Sequence, residues 1–213
     1  KIRSMDLAQL SSIGVKKIKV FKKIRVGIFS SGDELCEFPK KKSKYKIYDA
    51  NKLVLISLFK KIGCEVDDLG IIKDNYSETK KFILNKIKSL DVIITSGGIS
   101  KSKTDKIGKF FESNGQIKFW RLSIKPGRPF AFGKIKNTAF IGLPGNPVAA
   151  IITFFMLVID YIKVLSGLKE KQTIERILPC DFEMKKRKGR TEWLRGMIIK
   201  KKKLYFLIKF SST

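Results

Sequence analysis

Strand-like and helix-like hydrophobic patterns alternate through most of this chain. Residues 25–30 form a β-branched run, and residues 51–62 then place Leu53, Leu55, Ile56, Leu58, Phe59 and Ile62 at helical spacing before Gly63 stops them. Residues 65–71 read as the next strand, 77–87 as the next helix with Ser77 at its N-cap, and 91–95 as a third strand. Residues 104–113 are helical in pattern, Asn114-Gly115 turns the chain into an extended run at 116–124, and Pro126-Gly127 breaks that run. Residues 129–134 and 138–141 flank a short polar turn, as in a hairpin, and 148–165 make a last apolar helix closed by Ser166-Gly167. Strands alternating with helices predict parallel βαβ units, hence an α/β three-layer sandwich around a mostly parallel sheet.

The two ends have a different texture. Residues 1–22 hold a short helical pattern at 4–13 and a basic connector, and beyond residue 168 β-like runs at 174–184, 191–199 and 204–210 alternate with basic turns. Three short strands are few for an independent unit, so residues 169–213 are expected to be a small, incomplete β module after an α/β domain at 23–168. The first residue is Lys1 rather than Met, which leads to the expectation of a fragment whose residues 1–22 connect to preceding domains.

Composition narrows the chemistry. Histidine is absent, which removes imidazole bases, Ser–His nucleophiles and imidazole metal ligands. Carboxylates, lysine, arginine, hydroxyls, backbone N–H groups and a hard cation held by oxygen remain. Cys36, Cys64 and Cys180 are far apart and match neither a disulfide framework nor a zinc pattern, in keeping with a reducing cytoplasm. The apolar run at 148–159 is interrupted by Asp160 and Lys163, which favours a buried helix over a membrane span. The net charge of +27 raises nucleic acid as a partner, but basic runs occur in every segment and arginine supplies only eight of the 46 basic residues. A lysine-rich solvated surface accounts for that spread better than a nucleic-acid platform, for which Arg would be favoured.

Three apolar stretches end in small, polar loops: Ser31-Gly32-Asp33-Glu34, Ser96-Gly97-Gly98-Ile99-Ser100 and Gly142-Leu143-Pro144-Gly145-Asn146-Pro147. As neighbouring strands they would gather these loops at one sheet edge, where glycines let an anion approach bare N–H groups. Each loop also has an ordinary structural account. Gly145-Asn146-Pro147 is equally a well-capped helix start, the Ser96–Ser100 loop a flexible connection with Asp105 favourably placed at a helix N-terminus, and Asp49 an N-cap. Asp33, Glu34 and Asp49 could alternatively converge to bind Mg²⁺, which takes one or two carboxylates plus substrate phosphates. Arg121 and Lys125, four apart in an extended segment and followed by Arg128, would point to one face and suit oxyanions, or be plain surface charge.

Five ordered blocks resemble the molybdopterin molybdenumtransferases, the molybdenum-insertion proteins whose family includes the catalytic half of gephyrin. They are Ser30-Ser31-Gly32-Asp33-Glu34-Leu35, Ile47-Tyr48-Asp49-Ala50-Asn51, Thr95-Ser96-Gly97-Gly98-Ile99-Ser100, the segment from Phe119-Trp120-Arg121 through Lys125-Pro126-Gly127-Arg128-Pro129, and Gly142 to Pro147. The likeness runs from about residue 7 to 168, with a weaker echo in Gly189-Arg190-Thr191-Glu192-Trp193-Leu194-Arg195-Gly196.

The resemblance implies a three-layer molybdopterin-binding domain followed by a small β-barrel domain. It also implies a reaction in which adenylylated molybdopterin and molybdate yield molybdenum cofactor and AMP, assisted by Mg²⁺, in a homodimer. By that resemblance Asp49, Asp105, Arg121 and Lys125 would be catalytic, and Glu34, Asp49 and Asp105 would hold the metal. Ser31, Gly32, Glu34, Ser96, Gly97, Gly98, Ser100, Pro144, Gly145 and Asn146 would contact the pterin nucleotide. Ser102-Lys103 stands where the family usually has Gly followed by an acid, reversing a charge beside Asp105. An adenylyltransferase of the same pathway, or a pterin-binding scaffold without catalysis, are the alternatives.

Overall fold

The computed structural model describes residues 2–41, 43–72, 75–99, 106–168, 177–186, 188–201 and 204–209. A short helix, α1 (Ser4–Ser12), buries none of its residues and leads toward β1 (Arg25–Ser31), which is buried everywhere beyond Arg25. Such a strand must be covered on both faces. Two short strands, β2 (Leu35–Cys36) and β3 (Ile47–Tyr48), pair in parallel before α2 (Ala50–Lys61). The chain continues through β4 (Glu65–Ile72), α3 (Tyr76–Lys86), β5 (Val92–Ser96), α4 (Lys106–Asn114) and β6 (Gln116–Trp120). Then come β7 (Ile124–Lys125), the hairpin β8 (Ala131–Ile135) and β9 (Thr138–Leu143), and the last helix. That helix comprises α5 (Pro147–Thr153), a π-helical turn (Phe154–Val158) and α6 (Ile159–Leu165).

The central sheet has the order β4-β1-β5-β9-β8-β6. β4, β1, β5 and β9 run parallel, β8 runs against β9, and β6 runs against β8, so the sheet is mostly parallel as expected. Successive side chains on a strand point to opposite faces. Ile28, Ile94 and Ile141 therefore pack with Leu55 and Phe59 of α2 and with Phe154, Val158 and Ile162 of the last helix. Phe29, Ile93 and Phe140 pack with Ile83 of α3 and with Ile107, Phe110 and Phe111 of α4. These two clusters are the inner seams of a three-layer α/β sandwich. The stretch Pro147–Leu165 is long and apolar enough to cross a membrane by length and composition, yet Ala150, Phe154, Val158 and Ile162 lie in the core.

Three local expectations are corrected. Asn75, not Ser77, caps α3, because its carboxamide oxygen accepts from the N–H groups of both Ser77 and Glu78 at 3.1 and 3.3 Å. The extended run expected at 116–124 breaks at Arg121, which adopts φ 65° and donates its N–H to Phe130 O at 3.0 Å. The chain there leaves the sheet, and β7 pairs instead with β10 (Thr191–Glu192). The run expected at 191–199 is likewise divided between β10 and β11 (Gly196–Lys201), which forms an antiparallel pair with β12 (Leu204–Lys209).

Candidate functional site

The carboxyl ends of β1, β5 and β9 lie side by side, with Ser30 opposite Ser96 and Ser96 opposite Leu143. The three glycine-bearing loops therefore leave one edge of the sheet, as their sequence pattern suggested. Gly97 adopts φ 86°, and a Cβ there would stand 2.7 Å from Ser31 O, so only glycine lets the second loop lie against the first. The Gly97 N–H donates to Leu143 O at 3.1 Å, closing the seam to the third loop.

Asn51 in the first turn of α2 ties the loops together. Its side-chain nitrogen donates to Ser96 Oγ and to Gly145 O, each at 2.8 Å. Asp49 precedes it as the N-cap, with Oδ1 accepting the Lys52 N–H at 3.1 Å. The other carboxylate oxygen, Oδ2, is buried and has no hydrogen-bond partner among the described residues, although Asp49 is 6% exposed. An unsatisfied buried acceptor costs about 1–3 kcal/mol, more when charged. Ser30 Oγ, at the end of β1, is likewise buried without a hydrogen-bond partner among the described residues.

Glu34 is brought to the same place by the β2·β3 pair. The Ile47 N–H donates to Glu34 O at 2.8 Å and the Asp49 N–H to Cys36 O at 3.0 Å, so the two acids flank one short ladder. Ser31, Glu34, Asp49, Asn51, Ser96, Gly97, Gly145 and Pro147 line a common cavity of about 120 Å³. Beneath it, Lys52 is buried and bonds Glu37 at 3.1 Å and Asp68 at 2.9 Å. Burial would lower the Lys52 pKa, but its hydrogen bonds to Asp68 and Glu37 and their charges outweigh this and raise it above the ordinary lysine value.

Other expected site residues sit elsewhere. Gly32 opens onto a neighbouring cavity of about 390 Å³ shared with Lys40 and Lys46. Gly98 serves packing, since a Cβ there would lie 2.8 Å from Ile107 and 3.1 Å from Ser31. Asn146 turns its oxygen to the Ala149 N–H at 3.0 Å as a helix cap, and neither it nor Pro144 lines the cavity. Arg121 and Lys125 do not share a strand face, because Arg121 leaves the extended conformation after β6 while Lys125 lies in β7, which pairs with β10. Lys125 lies 3.7 Å from Glu192 in a separate cavity with Lys185 and Trp193. Arg121 follows β6 at the same sheet edge, two strand spacings beyond β9, roughly 10 Å away. Ser100, Lys103 and Asp105 lie outside the described residues.

Lys52 and Glu37 escaped the sequence reading, and Asn51 entered it only as the last residue of the Ile47-Tyr48-Asp49-Ala50-Asn51 block, with no site role. Asn51 stands two places beyond Asp49 at a helix start, which was a usable signal for a loop-bridging amide, whereas Lys52 looks like any other lysine of a basic chain. Chemically, the cavity offers hard oxygen donors from Glu34, Asp49, Ser31 and Ser96, with carboxamide and backbone groups between them. No group of three or more His, Cys, Asp or Glu among the described residues is arranged to hold a metal by itself. Two carboxylates, one with a free buried oxygen, fit Mg²⁺ only when a ligand supplies further oxygens.

The family described as "Probable molybdopterin binding domain" matches residues 27–164, which is most of the chain and runs from β1 to α6. The chain belongs to this molybdopterin-binding family. A relative named molybdopterin molybdenumtransferase from Haemophilus influenzae is 40% identical over 197 residues, covering 92% of this chain and 49% of its own. Gephyrin of Dictyostelium discoideum is 30% identical over 209 residues, covering 84% of this chain and 29% of its own. The molybdopterin biosynthesis protein from Pyrococcus horikosii superimposes with a TM-score of 0.77 at 26% identity, over 99% of this chain and 51% of its own. This molybdopterin-binding chain thus spans about half the length of the Haemophilus relative and less of gephyrin. Every residue of the Asp49 cavity falls inside the matched span.

Proposed function

We propose that the Asp49 cavity binds the phosphate end of adenylylated molybdopterin, and that the protein inserts molybdate into this pterin with release of AMP to form molybdenum cofactor. The observation that carries the reading is that Asp49, whose buried Oδ2 has no hydrogen-bond partner among the described residues, lines a cavity built from three glycine-bearing loops. Relatives named molybdopterin molybdenumtransferase support the reaction class.

Glu34 and Asp49 would hold Mg²⁺, which when bound supplies neutralising charge to the phosphate. Asn51 fixes the mutual position of the Ser96 and Gly145 loops, so their backbones meet the ligand already organised. Arg121 and Lys125 stay in the proposal as the cations that would meet molybdate and departing phosphate oxyanions, although both stand outside the Asp49 cavity. Asp105 remains in the proposal as a third acid. Cys36, Cys64 and Cys180 are unpaired, which supports the cytoplasmic location. The homodimer belongs to the same proposal, and nucleic acid is left out as a partner.

The test is turnover by the native full-length polypeptide supplied with adenylylated molybdopterin, Mg²⁺ and molybdate. AMP release that requires molybdate is the expected result. Pyrophosphate release from ATP would assign adenylyl transfer instead, and tight pterin binding with no AMP release would make the protein a carrier.

A further inference from the structure

We propose that Lys52 is a positioning residue that sets the separation of Glu34 and Asp49, its buried side chain holding the β2·β3 ladder against α2 through contacts with the more exposed carboxylates of Glu37 and Asp68. The proposal rests on the reading of Glu34 and Asp49 as the acids of the site.

Lys52 lies three residues beyond Asp49, in the first turn of the helix that Asp49 caps. Glu37 lies three residues beyond Glu34, just past β2. The Lys52–Glu37 contact of 3.1 Å therefore links the helix bearing one acid to the strand bearing the other. Asp68, 2.9 Å from the same ammonium, anchors the link to β4 of the main sheet. The Lys52 side chain is 6% exposed, so its charge has little access to water and depends on these two carboxylates. A hydrophobe would fill this place without constraining anything, whereas a buried ammonium makes Glu37 stay within reach.

The ladder needs such a brace. β2 and β3 are two residues each, well below the length at which strand pairing sustains itself. Glu34 and Asp49 flank that ladder, so loosening it changes the distance between them without touching either.

The test compares Lys52→Met with Lys52→Arg, whose guanidinium can still reach two carboxylates. Amide hydrogen exchange in the metal-free protein is read at Ile47 and Asp49, which donate to Glu34 O and Cys36 O, and at Ile93 and Ile94 in β5. Lys52→Met should speed exchange at the first pair about tenfold or more and leave β5 unchanged. The Mg²⁺ concentration for half-maximal AMP release should rise about 10-fold, as should the dissociation constant for Mn²⁺ followed by its spin resonance, with kcat at saturating Mg²⁺ preserved. Lys52→Arg should restore all three. Glu37→Gln weakens the β2 side of the link together with the Lys40 contact of Glu37, leaves Lys52 with Asp68, and should reproduce the effect if Lys52→Met fails to fold.

Equal acceleration in β5 and the ladder, in both Lys52→Met and Glu37→Gln, would reduce Lys52 to a general stabiliser and overturn the proposal. Unchanged exchange would do the same, as would a loss confined to kcat at saturating Mg²⁺. If the unaltered protein shows no molybdate-dependent AMP release, the functional reading falls, while exchange and Mn²⁺ binding still decide the role of Lys52.

Discussion

Asn51 donates to the Ser96 hydroxyl oxygen at 2.8 Å across 45 residues of sequence, and the same nitrogen reaches Gly145 O, 94 residues away. One carboxamide at a helix start therefore fastens the ends of two central strands to α2. Removing it in Asn51→Ala leaves a hydroxyl and a carbonyl without their donor, which should cost about 1–3 kcal/mol in urea unfolding. The KM for the pterin nucleotide should rise more than kcat falls, because the residue organises loops. Unchanged KM with lowered stability would confine Asn51 to the fold.

Asp49 has two separable duties. Asp49→Asn retains an acceptor for the Lys52 N–H and should keep stability within about 1 kcal/mol, while Asp49→Ala also loses the cap and about 1 kcal/mol with it. Both should lower AMP release about 100-fold or more, since the anionic oxygen is gone. Thermal melts and turnover measured on the same samples separate the duties. Retained turnover in Asp49→Asn would leave the residue a cap alone.

Two glycines at the site should respond differently to alanine. Gly97→Ala meets Ser31 O at 2.7 Å in a left-handed backbone and should destabilise the protein by about 1–3 kcal/mol. A Cβ on Gly145 has Gly97 Cα at 3.8 Å as its nearest neighbour, so Gly145→Ala should fold normally. If Gly145 is where ligand approaches backbone, nucleotide binding measured by calorimetry should weaken with no change in melting temperature.

Acid should loosen the β2·β3 region. Hydrogen bonds from Lys40 and then Lys52 hold the Glu37 carboxyl below its ordinary value of 4.5. The stabilisation is therefore complete above that pH and is lost as pH falls through the lower folded value. Lys52, raised above 10.5, contributes up to that pH and fades only beyond it. Urea midpoints followed against pH should show an acid limb that shrinks in Glu37→Gln.

The convergence of the three loops was legible because buried strands ending in Gly-Ser text leave few ways to arrange a parallel sheet. Asp49 as a cap was legible too, as a short acid before a helical pattern. The break at Arg121 was not, since nothing about an arginine announces φ 65°, and it goes with hydrogen bonds from the Arg121 and Leu122 N–H groups to the Phe130 and Arg128 carbonyls, which sequence does not reveal. The brace at Lys52 was hidden for a different reason. In a chain with 46 basic residues, a buried ammonium held between two acids is distinguished only by where the fold carries it.

The π turn at Phe154–Val158 gives the long helix one residue more than its rise would otherwise use. Each residue of an α-helix turns the chain by about 100°. The wide turn absorbs that added residue, so the segments on either side keep the clocking of an unbroken α-helix. In a strictly α-helical rod of the same length, Ile162 would be rotated by about 100° relative to Ala150, off the core face the two share. The irregularity thus lets both halves of one helix stay seated on the same side of the sheet.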